Sequence, residues 1–270
     1  MIDNKLIDVH AHFYTAKSGR RDWRTVNEAR ITAGDQMGIT AHVASILGTW
    51  GGSSPTYFPS PADVSHGNEA MLELTKAYPG HVFGYCVVNP NYADHAMAEL
   101  AKRLDEGMIG VKLAASRRAN DRLLDPIAAY AAERDVPILQ HVWQHRRREW
   151  PGQEASDAVE LVELALRHPK AKFLLAHIGG GGDWSHSLRA VRDVANVWVD
   201  LSGSGVDGGL LEAVMEAVGP ARTVWGCDVT MGTGLAKLRY LESLGLPSSD
   251  LFRIKSGNAV DLFPAGVFDQ

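Results

Sequence analysis

The chain has 270 residues, with 27 basic against 32 acidic side chains and a net charge of −5. That balance, with no basic face interleaved with aromatics, argues against a nucleic-acid partner, and no apolar run reaches the ~18 residues needed to cross a bilayer. The two cysteines, Cys86 and Cys227, are far apart and outside any C-x-x-C pattern, so no disulfide framework is expected and a reduced, cytoplasmic setting is the default.

The first apolar run, 6–13, reads LIDVHAHF. Side chains alternate faces along a strand, so His10 and His12 are expected to share a face, with Asp8 on that face too. Seven further short apolar runs follow at 40–47, 82–90, 108–115, 136–143, 172–180, 196–203 and 222–230. Each is bounded by turn residues, as expected for strands buried on both faces. The segment between the first two runs carries KSGRRDWR and is read as a loop. Helical periodicity is marked at 65–80, 92–107, 123–135, 156–169, 187–195, 209–219, 234–245 and 248–263. Alternating strands and helices of this kind form parallel βα units, and eight of them predict a single-domain α/β protein over 1–270, a (β/α)8 TIM barrel. A doubly wound open sheet is the alternative. The longest stretch without periodicity, 48–66, follows the second strand, and a loop of that length is usually functional or mobile.

Chemistry in such barrels sits at the C-terminal ends of the strands. Those ends carry His10 and His12 in the first strand, Lys112 in the fourth, His141 in the fifth, His177 in the sixth and Asp228 in the eighth. Burying such groups is costly unless they are paired or coordinated. Any one of them alone reads as a hydrogen-bonded core residue; five strands placing them at one level reads as a site. His10, His12, His141 and Asp228 offer three nitrogens and one oxygen, a donor set suited to one divalent ion, with zinc favoured and manganese an alternative. His177 is placed beside a metal-activated water as base or electrophile, and Asp228 can accept a proton.

These residues lie in motifs that resemble the amidohydrolase superfamily, and within it the amidohydrolase-2 (amidohydrolase-related) branch. The motifs are IDVHAH, GVKL, LQH, LAHIGG, NVWVDLSGS, VWGCD and the closing GNAVDLF, in order along nearly the whole chain. The resemblance implies a (β/α)8 barrel, one divalent metal on His10, His12, His141 and Asp228, and a water-orienting or activating His177. It implies small carboxylated or aromatic-derived substrates, and either hydrolase or non-oxidative decarboxylase activity. The stretch after Asp228, Val229-Thr230, departs from the family's usual pattern. Lys112 stands where two-metal members of the superfamily carry a bridging carboxylated lysine, so bridging or a supporting role are both open.

The loops after the first and fifth strands carry Arg20, Arg21 and Trp23, and Trp143, His145, Arg146, Arg147, Arg148 and Trp150. Guanidinium groups recognise carboxylates and indoles form apolar walls. Arg20, Arg21, Trp143, Arg146 and Arg147 are therefore expected to face a small anionic substrate, with Trp184 and Ser202 as weaker candidates. The glycines at 179–182 lack the Lys-Ser/Thr of a phosphate loop and are read as close backbone approach to the metal centre. His42, His66, His81, His95, His168 and His186 are read as structural or surface residues. The expected function is hydrolysis of an ester, lactone or amide bond in a small, carboxylated substrate. A metal-dependent decarboxylase and a catalytically silent binding barrel are the alternatives, and a homodimer is possible.

Overall fold

In a computed structural model, residues 5–18, 20–47, 57–145, 153–228 and 233–269 are described. Eight parallel strands form one sheet in sequence order: β1 (Leu6–His12), β2 (Ile39–Ser45), β3 (Val82–Val88), β4 (Gly110–Leu113), β5 (Pro137–Gln140), β6 (Lys172–Leu175), β7 (Val197–Asp200) and β8 (Thr223–Val224). The ring closes where the Val9 N–H donates to the Trp225 carbonyl at 3.0 Å and the Asp228 N–H donates to the His10 carbonyl at 2.7 Å. The helices around it are α1 (Trp23–Met37), α2 (Pro61–Ala77), α3 (Ala93–Asp105), α4 (Asp125–Glu133), α5 (Ala158–Arg167), α6 (Trp184–Val191), α7 (Leu210–Ala217), α8 (Gly234–Ser243), α9 (Ser248–Phe252) and α10 (Asn258–Leu262). The chain is a (β/α)8 TIM barrel, as the alternation predicted. Among the described residues no helix is long and apolar enough to cross a membrane.

Two apolar layers hold the barrel. Residues such as Leu6, Val111, Leu113, Ile138 and Val199 pack outward against the helices. Ile7, Val9, Val43, Tyr85, Leu139 and Leu174 fill the interior, where the C-terminal residues Leu262, Phe263 and Phe268 join them. Lysine side chains tie that C-terminal segment to the strand starts: Lys5 Nζ donates to the Phe268 carbonyl at 3.0 Å and Lys172 Nζ to the Leu262 carbonyl at 3.1 Å.

α1 was not legible in the apolar pattern. Its buried residues are Asn27, Arg30 and Gly34, with Ile31 and Met37 only partly buried against the core, so it lacks a continuous buried apolar stripe. Its end is set by Gly38, whose φ of 83° gives the left-handed turn and brings its N–H to the Asp35 carbonyl.

β1 does not alternate strictly. Asp8 pairs with His42 in register and Ala11 with Ala44, so β1 fits one extra residue between them. Val9 and His10 consequently both face the barrel axis, whereas Asp8 faces outward to α1. The expectation that Asp8 shares a face with His10 and His12 is corrected: the bulge reverses the parity between them. The backbone groups that the bulge frees are satisfied by side chains. Asp8 accepts from the N–H groups of His10 (3.1 Å) and Cys227 (2.9 Å), and the Tyr85 hydroxyl donates to the Val9 carbonyl at 2.7 Å. The other Asp8 oxygen accepts from Arg30 (3.0 Å) and lies 2.8 Å from His42 Nδ1. Gly110 makes room for the Tyr85 ring, because a Cβ there would stand 2.6 Å from Tyr85 Cε1.

Tyr85→Phe keeps the volume and orphans the Val9 carbonyl, which should cost about 1–3 kcal/mol. Asp8→Ala removes the carboxylate from a buried ion pair and should cost about 3–5 kcal/mol. Urea midpoints with unchanged m-values would check both, and near-wild-type midpoints would contradict this account of the bulge.

Candidate active site

The polar groups converge at the C-terminal end of the barrel. His10 and His12 are on β1, with ring centroids 5.3 Å apart. The later strands are shorter than the apolar runs predicted, so three of the expected groups lie just past them. His141 follows β5 directly, His177 comes two residues after β6, and Asp228 four after β8. The reason is conformational: His177 (φ 42°) and Asp228 (φ 62°) occupy the left-handed region, which ends an extended strand and re-aims the side chain. Holding such residues there costs about 1–3 kcal/mol each, a type of strain that clusters at functional sites.

His10 is 1% exposed and sits at the centre. Its Nδ1 lies 2.7 Å from Asp200 Oδ2 and 3.0 Å from Ser202 Oγ. Burial, then the Lys112 charge, hold its pKa well below the usual imidazole value, so the ring is neutral. A neutral ring donating from Nδ1 to Asp200 leaves the Nε2 lone pair facing the site. Lys112 Nζ is 3.0 Å from that Nε2, and burial lowers the lysine to about 8. His12 is fixed the same way: Nδ1 donates to the Ser45 carbonyl at 3.1 Å, and Nε2 is 3.3 Å from Asp228 Oδ1. Burial opposes ionisation of Asp228, but the adjacent His10 and His12 imidazoles outweigh it and hold the carboxyl far below its usual range. The Asp228 main chain is clamped as well, since Arg30 donates to its carbonyl at 2.7 Å.

His141 and His177 form a pair, with Nδ1 of the first 3.0 Å from Nε2 of the second. Burial lowers the pKa of both, so one nitrogen donates and the other accepts. His141 Nε2 is buried with no hydrogen-bond partner among the described residues. An orphaned buried nitrogen is costly, and it is accounted for if Nδ1 carries the proton and Nε2 is a ligand.

These donors fit a divalent ion. Ligands at ~2.0–2.1 Å around a tetrahedral ion stand roughly 3.3 Å apart. His12 Nε2 and His10 Nε2 lie 3.3 and 3.6 Å from Asp228 Oδ1, and the three residues' ligand atoms all fall within 4.8 Å of one another. His141, the fourth expected donor, is not part of that group of three, although its orphaned Nε2 lies at the same end of the barrel and its side chain lines the cavity beside Asp228.

Above them lies a cavity of about 220 Å³ lined by His141, Trp143, Gln144, His177, Ser204 and Asp228 among others. Of the expected substrate-facing residues, Trp143 is in that lining. Arg20 instead pairs with Asp22 at 2.9 Å and lies over the Tyr14 ring, and Arg21 is exposed; neither lines the cavity. Trp184 is turned to Asp207, its indole donating at 3.2 Å. Ser202 is fully buried behind His10, so it supports the imidazole and does not reach the cavity. Arg146 and Arg147 lie outside the described residues. The 179–182 glycines approach the turn after β7: Gly205 donates to the Gly179 carbonyl at 2.7 Å, and a Cβ on Gly203 would stand 2.5 Å from Gly179 C. That close approach is to backbone, with Gly180 beside His177, and is not made to the metal donors themselves.

Four residues were not singled out from the sequence. Asp200 lies in the NVWVDLSGS motif, and its late-strand position was the available signal. Burial pushes its carboxyl up to about 6, and it accepts from the N–H groups of Ser202 (2.9 Å) and His177 (3.2 Å) as well as from His10. Gly226 is required beside it, since a Cβ there would come within 2.1 Å of Asp200 Oδ1. Tyr57, in the long loop after β2, places its ring 5.7 Å from His141, and burial raises its hydroxyl pKa, with Asp228 adding to the effect. Arg30 carried no sequence signal, because its partners are far away in the chain.

A (β/α)8 barrel with imidazoles and a carboxylate at its C-terminal mouth defines a class of hydrolytic and lyase enzymes. The amidohydrolase family model matches residues 7–265, and the chain belongs to that family; it is an enzyme, a hydrolase or a lyase. Solved structures agree in fold. A 2,6-dihydroxybenzoate decarboxylase from Rhizobium superposes with a TM-score of 0.70 at 14% identity, covering 96% of this chain and 98% of that one. A dihydroxybenzoic acid decarboxylase from Polaromonas sp. JS666, with bound manganese and 2-nitroresorcinol, gives 0.70 at 15% identity, with 96% of each chain covered. A probable 2-pyrone-4,6-dicarboxylic acid hydrolase from Acinetobacter baumannii, with citric acid bound, gives 0.63 at 17% identity, covering 95% of this chain and 98% of that one. No curated protein matches by sequence.

Asp200→Ala removes the carboxylate that orients His10 and should weaken divalent-metal affinity by about 10–100-fold. Competition with a chromogenic chelator measures this; an unchanged affinity would show that His10 needs no such support.

Proposed function

We propose that the protein is a metal-dependent hydrolase that opens an ester, lactone or amide bond in a small, carboxylated substrate. The observation that carries this reading is a small cavity lined by His141, His177 and an ionised Asp228, with the Nε2 atoms of His10 and His12 at 3.6 and 3.3 Å from that carboxylate. His10, His12, His141 and Asp228 would hold a single divalent ion, zinc or manganese, which supplies electrophilic assistance and makes a water acidic enough to ionise near neutral pH.

The remaining work falls to the chain's own groups. Asp228 is ionised and partly open to the cavity, so its carboxylate is the acceptor for the proton released as water adds to the carbonyl. The proton passes to the leaving oxygen or nitrogen as the bond breaks, so hydrolysis returns both groups to their starting states. His177 Nε2 accepts from His141 Nδ1 in the resting geometry, which keeps His141 oriented. His177 also lines the cavity, where its imidazole can hydrogen-bond the reacting oxygen. Lys112 brings positive charge to the site and favours an anionic substrate; in this reading it bridges no ions, and its Nζ would move off His10 Nε2 when that nitrogen holds the ion. Trp143 forms an apolar wall and Tyr57 a second aromatic edge.

A lyase reading is the alternative, favoured by the decarboxylases among the solved structures of the same fold. A panel of lactones and carboxylated aromatics, followed for ring opening and for CO2 release, separates the two. Ring opening without CO2 is the expected result, and CO2 release with no hydrolysis would replace the hydrolase reading. His177→Ala should lower kcat by roughly 10²–10⁴-fold with metal content near that of the wild type. Loss of the metal in that variant would make His177 a ligand and overturn its assigned role.

A further inference from the structure

A second group of metal-type donors lies outside this centre. His145, in the segment after β5, Asp157, the N-cap of α5, and His186, in the first turn of α6, bring one ligand atom each within 4.8 Å of one another. His145 Nδ1 is 2.7 Å from Asp157 Oδ2, and His186 Nε2 is 3.7 Å from Asp157 Oδ1. The two imidazoles stack with centroids 4.0 Å apart and an interplanar angle of 28°. The 2.7 and 3.7 Å edges bracket the roughly 3.3 Å separation of ligands around a tetrahedral zinc-sized ion. The third edge, between the two imidazoles, is within 4.8 Å, and His145, 56% exposed, has room to draw in and close the site.

The scaffold around these donors is already assembled. Asp157 closes a capping box: it accepts from the α5 backbone while its own N–H donates to Glu160 at 2.8 Å. The start of α6 is tied to the segment after β5 by the Asp183 N–H, which donates to the Gln144 carbonyl at 2.7 Å. His186 is held by its N–H to Asp183 Oδ1 at 3.0 Å. His145 has φ of 51°, a left-handed conformation uncommon outside glycine, and the Asp157 contact is the interaction that rewards it.

We propose that His145, Asp157 and His186 form a second, independent cation site for a zinc-class divalent ion, with solvent completing the coordination. Two imidazoles and one carboxylate suit such an ion better than calcium or magnesium, which take oxygen ligands. The site lies two residues beyond Trp143, so an ion there fastens the wall of the reaction cavity to the N-termini of α5 and α6.

Zinc is the probe. After saturation and removal of free ion, elemental analysis should find one more equivalent in the wild type than in His186→Ala. Asp157→Asn should lose the same equivalent; asparagine still caps the helix, so the fold is kept, and circular dichroism checks this. His12→Ala separates this site from the catalytic centre, because it should keep the equivalent that His186→Ala loses. Equal zinc content in the wild type, His186→Ala and Asp157→Asn would overturn the proposal. Loss of the same single equivalent in His12→Ala and His186→Ala would overturn it too, by showing one site where two are proposed.

Discussion

The bulge in β1 is the feature on which the site depends. One extra residue between Asp8 and Ala11 places Val9 and His10 on the same side of the strand, so apolar filling of the barrel gives way to an imidazole within a single step. The bulge persists because every backbone group it frees has a partner: Asp8 serves the N–H groups of His10 and Cys227, and Tyr85 serves the Val9 carbonyl. Asp8 can afford full burial because Arg30 and His42 surround its other oxygen. Arg30 then reaches the Asp228 carbonyl. One carboxylate outside the barrel thus sets the backbone of both ends of the metal-type donor set, β1 and the segment after β8.

A second carboxylate acts from the opposite side. Asp200 gathers the His10 ring, the His177 backbone and the Ser202 hydroxyl, and so connects β1, β6 and β7 at the level where they meet the cavity. Both carboxylates are fully buried and neither touches the cavity. Asp200 fixes the tautomer of His10, which donates from Nδ1 and presents Nε2 inward, and the Ser45 carbonyl does the same for His12. The strain at His177 and Asp228 belongs to the same design: left-handed backbone turns these side chains over the barrel mouth when a continued strand would carry them past it.

Much of the fold was legible because it depends on local pattern. Short apolar runs bounded by turns marked all eight strands, and their order along the chain dictated a parallel barrel. The exception, α1, shows the limit of that signal: a helix that meets the sheet through Asn27, Arg30 and Gly34 leaves no continuous apolar stripe to find. The strand ends of β5 to β8 were read too long for a related reason. The apolar character continues through His141, His177 and Asp228, while the hydrogen-bonded strand stops earlier at backbone angles that composition does not reveal.

The sequence by itself determined the barrel and marked His10, His12, Lys112, His141, His177 and Asp228 as the polar groups at its strand ends, because strand-end position and residue chemistry are local properties. It could not determine which way Asp8 faces, that Ser202 lies behind His10, that Arg20 turns away to Asp22, or that His186 meets His145 across Asp157. Those outcomes rest on a one-residue register shift, on left-handed backbone angles and on contacts between residues up to 219 positions apart. Only the closed barrel brings such partners together, and burial then decides which of their nitrogens and oxygens are satisfied and which are left facing the site.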